Sequence, residues 1–347
     1  MRRTKDALGV FGLLLVALAF ALGGCGGDDD GEEGAGTGEG NGESYVLYMI
    51  PKNVGNPVFD LANKGMQAAA AELGDTTQFE GSAEADPQQQ VQVINSAVAQ
   101  SPGALIVSAN DPDAILPALQ NAKEEGVEVV TFDSDSNPEG RTVFASTPAP
   151  QNVGETQIEM CGSQIDYSGD IAILSATATA TNQNTWIEFM KETLAQEKYA
   201  NMKLVTTVYG NDEPTKSTEE AQGLLQAYPN LKCIIAPTTV GIAAAARVVT
   251  QQNKCDAVIV TGLGLPSEMR EYVKSGCVKQ NALWNFEDLG YLAAQAAHAV
   301  LAGDVTGAEG ESFTAGKLGE VTIDENGAVY LPELLIFTPE NIDQYQF

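Results

Sequence analysis

The stretch GALIVSANDPDAILPALQNAKEEGVEVVTFD, Gly103 to Asp133, decides the fold. GALIVSA is a short apolar run of the kind found in strands buried on both faces, Asp113 to Glu125 carries a helical pattern, and VEVVTFD returns to a second apolar run. Strand, helix, strand is the repeating unit of a parallel sheet. Towards the N-terminus the alternation extends through YVLYMI from Tyr45, a helix near Pro57 to Leu73, TQF, and a helix from Pro87 to Gln100. Within that helix Val91, Ile94, Ala97 and Val98 recur at helical spacing, and Pro87 suits a first turn.

After TVFAS the alternation begins again. DIAIL is followed by a helix from about Gln183 to Glu197, KLVTTVYG by one over Thr215 to Ala227, and LKCIIAP by one over Ile242 to Gln252. AVIVTG, a short helix after Pro266, VKQNALWNF, a helix near Asp288 to Ala302 and the short runs EVTI, AVYL and ELLIF complete the chain. The pattern predicts an α/β protein of two lobes, each a parallel sheet wound on both faces by helices. Length agrees, since the residues from Tyr45 onward exceed one common core.

Such sheets bind ligands beyond the carboxyl ends of their strands. The residues there are Pro51 and Lys52, Ala109 and Asn110, Asp133 to Asp135, Ala176 to Gln183, Pro237 to Thr239, Gly262 to Leu265, and Trp284 with Asn285. Lys52 supplies hydrogen-bond donors, Asp133 acceptors, Asn182 and Gln183 both, and Thr239 a hydroxyl. Phe59, Phe132 and Trp284 offer flat apolar faces suited to a sugar ring, although all three also serve as core packing. Asp133 and Asp135 serve alternatively as caps ahead of Asn137 and Pro138. Together these groups describe a pocket for a neutral polyol. Asp133 and Asp135 alternate along an extended segment and so do not converge as a glycosidase pair must. No GxSxG, HExxH or GxxxxGK[ST] occurs, and the single histidine, His298, lies in an alanine-rich helix. An enzyme is disfavoured, and no cofactor or metal is expected.

The chain carries 18 basic and 47 acidic residues; from Tyr45 onward the balance is 15 against 39. Nucleic acid is an unsuitable partner for such a surface. The N-terminus has its own logic. Arg2, Arg3 and Lys5 precede an apolar run from Ala7 to Leu22, and Gly23 and Gly24 stand before Cys25. That is the order of an export signal, and LGGC resembles a lipobox, which implies cleavage before Cys25 and lipidation of its thiol. Gly26 to Ser44 holds eight glycines and seven acidic residues and no side chain able to build a core, so it reads as an extended tether. Four further cysteines, Cys161, Cys233, Cys255 and Cys277, make disulfides plausible in an exported chain, and Cys233 to Cys255 is the favoured pairing because both stand at the entry to neighbouring strands.

Seven segments, IPKNVGNPVFD, TFDSDSNPEGR, TATATNQNTWIEFMK, YANMKLV, EAQGLLQAYPNLK, IIAPTTVGIAAAARVV and VTGLGLPSEMREYVKSGCVKQNALWNFEDLGYLA, run in order through nearly the whole body. They resemble the solute-binding lipoproteins of ABC importers in the ribose-binding-like cluster, the rhamnose-type branch and the Lsr-type autoinducer-2 binding proteins above all. The resemblance implies a type I periplasmic binding protein fold, two Rossmann-like doubly wound lobes joined by a hinge and crossed by the chain near Ser146, near Asn285 and around Glu309 to Glu311. It implies a signal peptide over 1–24, a tether over 25–44, a first lobe of 45–146 with 286–310, and a second of 147–285 with 311–347. It also implies a monomer, delivery to ABC permease subunits, and a lipid-anchored place on the outer face of the cell membrane or in the periplasm. Autoinducer-2 receptors use residues matching Lys52, Asp133, Gln183 and Pro237, but carry an aspartate where this chain has Asn182 and an alanine where it has Thr239. The two departures favour a larger polyol such as the 6-deoxyhexose rhamnose, with autoinducer-2 as the alternative.

Overall fold

The computed structural model describes residues 44–347 apart from Glu333; the expected signal peptide, Cys25 and nearly all of the tether lie outside the described residues. The first half of the chain runs β1 (Val46–Ile50), α1 (Pro57–Leu73), β2 (Thr76–Phe79), α2 (Pro87–Val98), β3 (Ala104–Val107), α3 (Pro112–Glu124), β4 (Glu128–Phe132) and β5 (Val143–Ser146). The second runs α4 (Pro150–Gly162), β6 (Ser168–Ser175), α5 (Thr181–Leu194), β7 (Asn201–Tyr209), α6 (Pro214–Ala227), β8 (Leu231–Ala236), α7 (Thr239–Gln251), β9 (Ile259–Gly262), α8 (Pro266–Lys274) and β10 (Asn281–Leu283). After these come α9 (Phe286–Leu301), β11 (Ser312–Thr314), β12 (Glu320–Thr322), β13 (Ala328–Tyr330) and β14 (Leu335–Phe337).

Two parallel sheets form, one in each lobe. The first has the order β13-β5-β4-β3-β1-β2 and the second β7-β6-β8-β9. In-register pairing of Met49 with Ile106 and of Ile106 with Val130 brings the ends of β1, β3 and β4 to one edge. Pairing of Ser175 with Tyr209 and of Ala236 with Gly262 does the same for the second lobe. Both faces of the first sheet are covered. Tyr48, Ile50, Leu105 and Val107 pack with Ile94, Ile115 and Leu119 of α2 and α3, while Leu47, Met49 and Ile106 pack with α1 and α9 residues including Met66, Leu289 and Leu292. Fully burying one such aliphatic side chain contributes roughly 1.5–3 kcal/mol.

Local sequence sets the helix starts. Six of the nine described helices, α1, α2, α3, α4, α6 and α8, begin on proline, whose missing N–H costs nothing in a first turn. Three of these are also capped by a side chain: Asn56 accepts from Val58 N–H, Asp86 from Gln89 N–H, and Asp111 from Asp113 and Ala114 N–H. Helix α4 escapes the sequence reading because PQNVGETQIEMCG carries few large apolar residues.

Two expectations are corrected. The tail does not belong to the second lobe as a unit: β13 pairs parallel with β5 as an edge strand of the first sheet, and only β14 joins the second lobe, antiparallel to β10. The third crossing between lobes therefore lies between β13 and β14, not near Glu309 to Glu311. The favoured Cys233 to Cys255 bridge is replaced by Cys161–Cys233 and Cys255–Cys277, with Cα separations of 6.3 and 4.7 Å. Cys233 is fully buried on β8 among residues of the core that also holds Cys161 of α4. Its partner in register on β9 is Ile259, four residues beyond Cys255, which lies in the loop after α7.

Candidate functional site

The strand ends of the two lobes meet around a cavity with about 370 Å³ of empty space. Its polar wall starts at Lys52, two residues past β1. The segment is held from behind by Gln90, whose amide donates to the carbonyls of Pro51 and Ser108 at 3.1 and 2.7 Å, and by Asn110, whose amide donates to Lys52 O at 2.8 Å. Lys52 is 4 % exposed and its ammonium reaches Asp133 Oδ2 at 3.4 Å and Asn182 Oδ1 at 3.3 Å. Asp133 leaves β4 with φ of 58°, a left-handed turn uncommon outside glycine and asparagine. Its carboxylate accepts from Ser108 Oγ at 2.9 Å and from Asn182 Nδ2 at 3.0 Å. Asp135 turns away to Arg141, which donates to both its oxygens at 2.8 and 2.9 Å.

The second lobe answers with the first turn of α5. Gln183 Oε1 accepts from Ser175 Oγ and from Ala176 N–H, both at 2.7 Å. A backbone N–H can only donate, so the carbonyl end of the amide is fixed there and the NH₂ end is left as the donor for the cavity. Asn182 bridges the lobes: its Oδ1 also accepts from Gln183 N–H at 2.8 Å. A buried ion pair adds little to folding stability once desolvation is counted. The Lys52–Asp133–Asn182 cluster is therefore better explained by what it presents than by what it holds together.

The apolar wall is aromatic. Phe59, Trp186, Trp284 and Phe286 line the cavity with Val58, Leu263 and Leu283. Trp284 lies with its ring centre 5.5 Å from Trp186 in an edge contact and 5.3 Å from Phe286. Eight of the nine ligand-binding residues expected from sequence line this one space: Lys52, Phe59, Asp133, Asn182, Gln183, Pro237, Thr239 and Trp284. The ninth, Phe132, does not. It is wholly buried behind the wall, in an edge contact with Phe59 at 6.2 Å, because the inward face of β4 packs on α1. Asn56, Trp186, Phe286 and Asp212 also line the cavity and are not among the strand-end residues read from sequence, whereas Thr238 lies within the Pro237–Thr239 strand end. Asp212 was within reach: it follows β7, and the rule that singled out the other strand ends applies equally to Gly210–Asp212. Its carboxyl is pushed above the ordinary range by burial, against the opposing pull of Lys52 and a hydrogen bond from Thr238.

The chain matches the family model described as periplasmic binding protein domain over residues 47–304. Among solved structures it is 46 % identical to a sugar ABC transporter protein from Actinomyces odontolyticus, over 88 % of this chain and 100 % of that one, with a TM-score of 0.71. It is 35 % identical, over 87 % and 98 %, to an ABC transporter solute-binding protein from Clostridium phytofermentas with bound L-rhamnose, at a TM-score of 0.84. LsrB from Clostridium saccharobutylicum in complex with AI-2 is 26 % identical over 87 % and 100 %, at 0.82. Among the described residues no helix is long and apolar enough to cross a membrane. The chain belongs to the periplasmic binding protein family, in its extracytoplasmic, sugar-binding ABC transporter branch, and is not an enzyme.

Proposed function

We propose that the protein captures a neutral 6-deoxyhexose of the L-rhamnose kind between its lobes and hands it to an ABC permease. The observation that carries this reading is the constellation of Lys52, Asp133, Asn182 and Gln183 around one cavity with an aromatic wall. Charged and amide groups there meet hydroxyls, and the aromatic wall meets the C–H face of a ring. Asn182 and Thr239, in place of the acid and alanine of autoinducer-2 receptors, suit a larger ligand with more hydroxyls. The relative holding L-rhamnose is also the more similar in sequence of the two liganded relatives. Autoinducer-2 is the second reading, favoured by the shared Lys52, Asp133, Gln183 and Pro237.

The proposal extends to the N-terminus: cleavage before Cys25, lipid on its thiol, and a tether to 44 that holds a monomeric two-lobed body off the membrane for docking to the permease. Calorimetric titration against L-rhamnose, D-ribose, D-arabinose and autoinducer-2 tests the ligand, with L-rhamnose expected to bind most tightly. Tighter binding of autoinducer-2 would transfer the assignment to the second reading, and silence towards every ligand would remove both. Mass spectrometry of the membrane-extracted protein tests the anchor through a diacylglyceryl mass on a peptide beginning at Cys25.

A further inference from the structure

Resting on the carbohydrate reading above, we propose that Asp212 and the indole N–H of Trp284 form a second ligand-recognising pole, contributed by the second lobe alone, that binds one sugar hydroxyl and sets specificity. Asp212 is 8 % exposed, yet among the described residues the one hydrogen bond to its carboxylate comes from the Thr238 hydroxyl. Among the described residues no lysine or arginine lies within ion-pair distance of it. A carboxylate so enclosed without a cation in contact is costly, and the more distant pull of Lys52 offsets only part of that cost. The backbone is unfavourable as well: Asp212 stands at φ of 54°, directly after Asn211 at 56°. Thr238 makes a third concession. It occupies the N-cap of α7, where its hydroxyl would ordinarily accept from the first helical turn, but it makes no capping bond and donates to Asp212 instead. Three separate penalties converge on holding one carboxylate at the cavity wall.

Trp284 is the complement. Its ring is packed against Trp186 and Phe286, and among the described residues its buried Nε1–H has no acceptor. A carboxylate with acceptor capacity left over and an unpaired donor on one cavity match a hydroxyl, which both donates and accepts. A sugar lacking that hydroxyl leaves the indole N–H unpaired and the carboxylate with Thr238 alone, and an anionic ligand is repelled by Asp212.

The test is calorimetric titration of the full chain and of Asp212→Asn and Trp284→Phe, each with a thermal melt, using whichever of L-rhamnose, D-ribose and D-arabinose the wild type binds most tightly and its monodeoxy analogues. Expected is a loss of affinity of tenfold or more in Asp212→Asn with an unchanged or higher Tm, and a smaller loss in Trp284→Phe. One monodeoxy analogue should bind the wild type weakly but lose nothing further on Asp212→Asn. Unchanged affinity in both variants would overturn the proposal and leave the carbohydrate reading standing, as would a loss in Asp212→Asn that comes only with a lowered Tm. A wild type that takes none of the sugars would end both. Should Asp212→Asn fail to fold, Thr238→Val releases the same carboxylate: weaker binding with intact stability supports the pole, and wild-type binding overturns it.

Discussion

Asn182 shows how much one residue does in this cleft. Its amide takes a proton donor from Lys52 and gives one to Asp133, so it joins the lobes without adding charge. In Asn182→Asp two carboxyl groups would face each other where a 3.0 Å hydrogen bond now lies, and they could not both ionise cheaply. The variant is expected to match the wild type in thermal melts at about pH 3, below the ordinary carboxylate range, and to fall below it at about pH 8; each unit by which the shared pKa rises corresponds to about 1.4 kcal/mol. Identical curves at both values would mean that Lys52 compensates fully. Asp212 carries a related prediction with its own sign. Its folded-state pKa is raised, so its contribution to stability is complete below the ordinary carboxylate range and is lost as pH rises through the folded value. Asp212→Asn should therefore gain Tm over the wild type on going from acid to neutral pH, by about 2–4 °C if the contribution is about 1 kcal/mol. A difference in Tm that does not vary with pH would contradict it.

At the scale of elements, α1 and α9 touch through backbone. A Cβ on Gly65 would lie 1.8 Å from Glu287 O, and one on Gly290 would lie 1.9 Å from Ala62 O. Neither obstacle is a flexible side chain. Gly290→Ala is expected to cost about 1–3 kcal/mol or more by overpacking, read from the urea midpoint. Gly223→Ala in α6, where nothing lies within 4 Å, should instead gain about 0.4–1 kcal/mol through the unfolded chain. Equal effects at the two sites would refute the packing argument. Helix starts also show what could be read beforehand. The helices begun by proline were placed within one residue wherever a start was named from sequence, at 57, 87, 112 and 214. Those lacking it, α5, α7 and α9, start two or three residues earlier than their apolar periodicity suggests. All three put first-turn residues on the cavity wall, Asn182 and Gln183, Thr239, and Phe286. Helix α9 keeps a side-chain cap, since Asn285 accepts from Glu287 N–H, whereas α5 and α7 have none; in those two the first turn serves the cleft, and no cap marks the start.

Across the whole molecule the lobes are joined by polar bonds beside the cavity. Ser134 Oγ and Thr181 Oγ1 meet at 2.9 Å, the Thr181 hydroxyl donates to Asp135 O at 3.0 Å, and Thr179 donates to Asn110 O at 2.9 Å. At roughly 0.5–1.5 kcal/mol apiece these bonds favour the closed arrangement. The double variant Thr179→Val, Thr181→Val is expected to bind ligand about tenfold or more weakly and to show a larger radius of gyration by X-ray scattering without ligand; unchanged affinity and size would show that closure does not depend on them. By itself the sequence determined the alternation of strands and helices, the two parallel sheets and the strand ends where a ligand site must lie. Each of these follows from short-range periodicity and from the rule that a parallel sheet opens at its carboxyl edge. Tertiary structure alone decided the rest. The tail divides between lobes because β13 finds an edge at β5, cysteines pair by proximity of their elements and not by order in the chain, and Asp212 becomes an enclosed carboxylate because Lys52, Thr238 and the cavity wall arrive around it from distant segments. Long-range contacts leave no periodic trace in a single sequence, so none of these could be read from it.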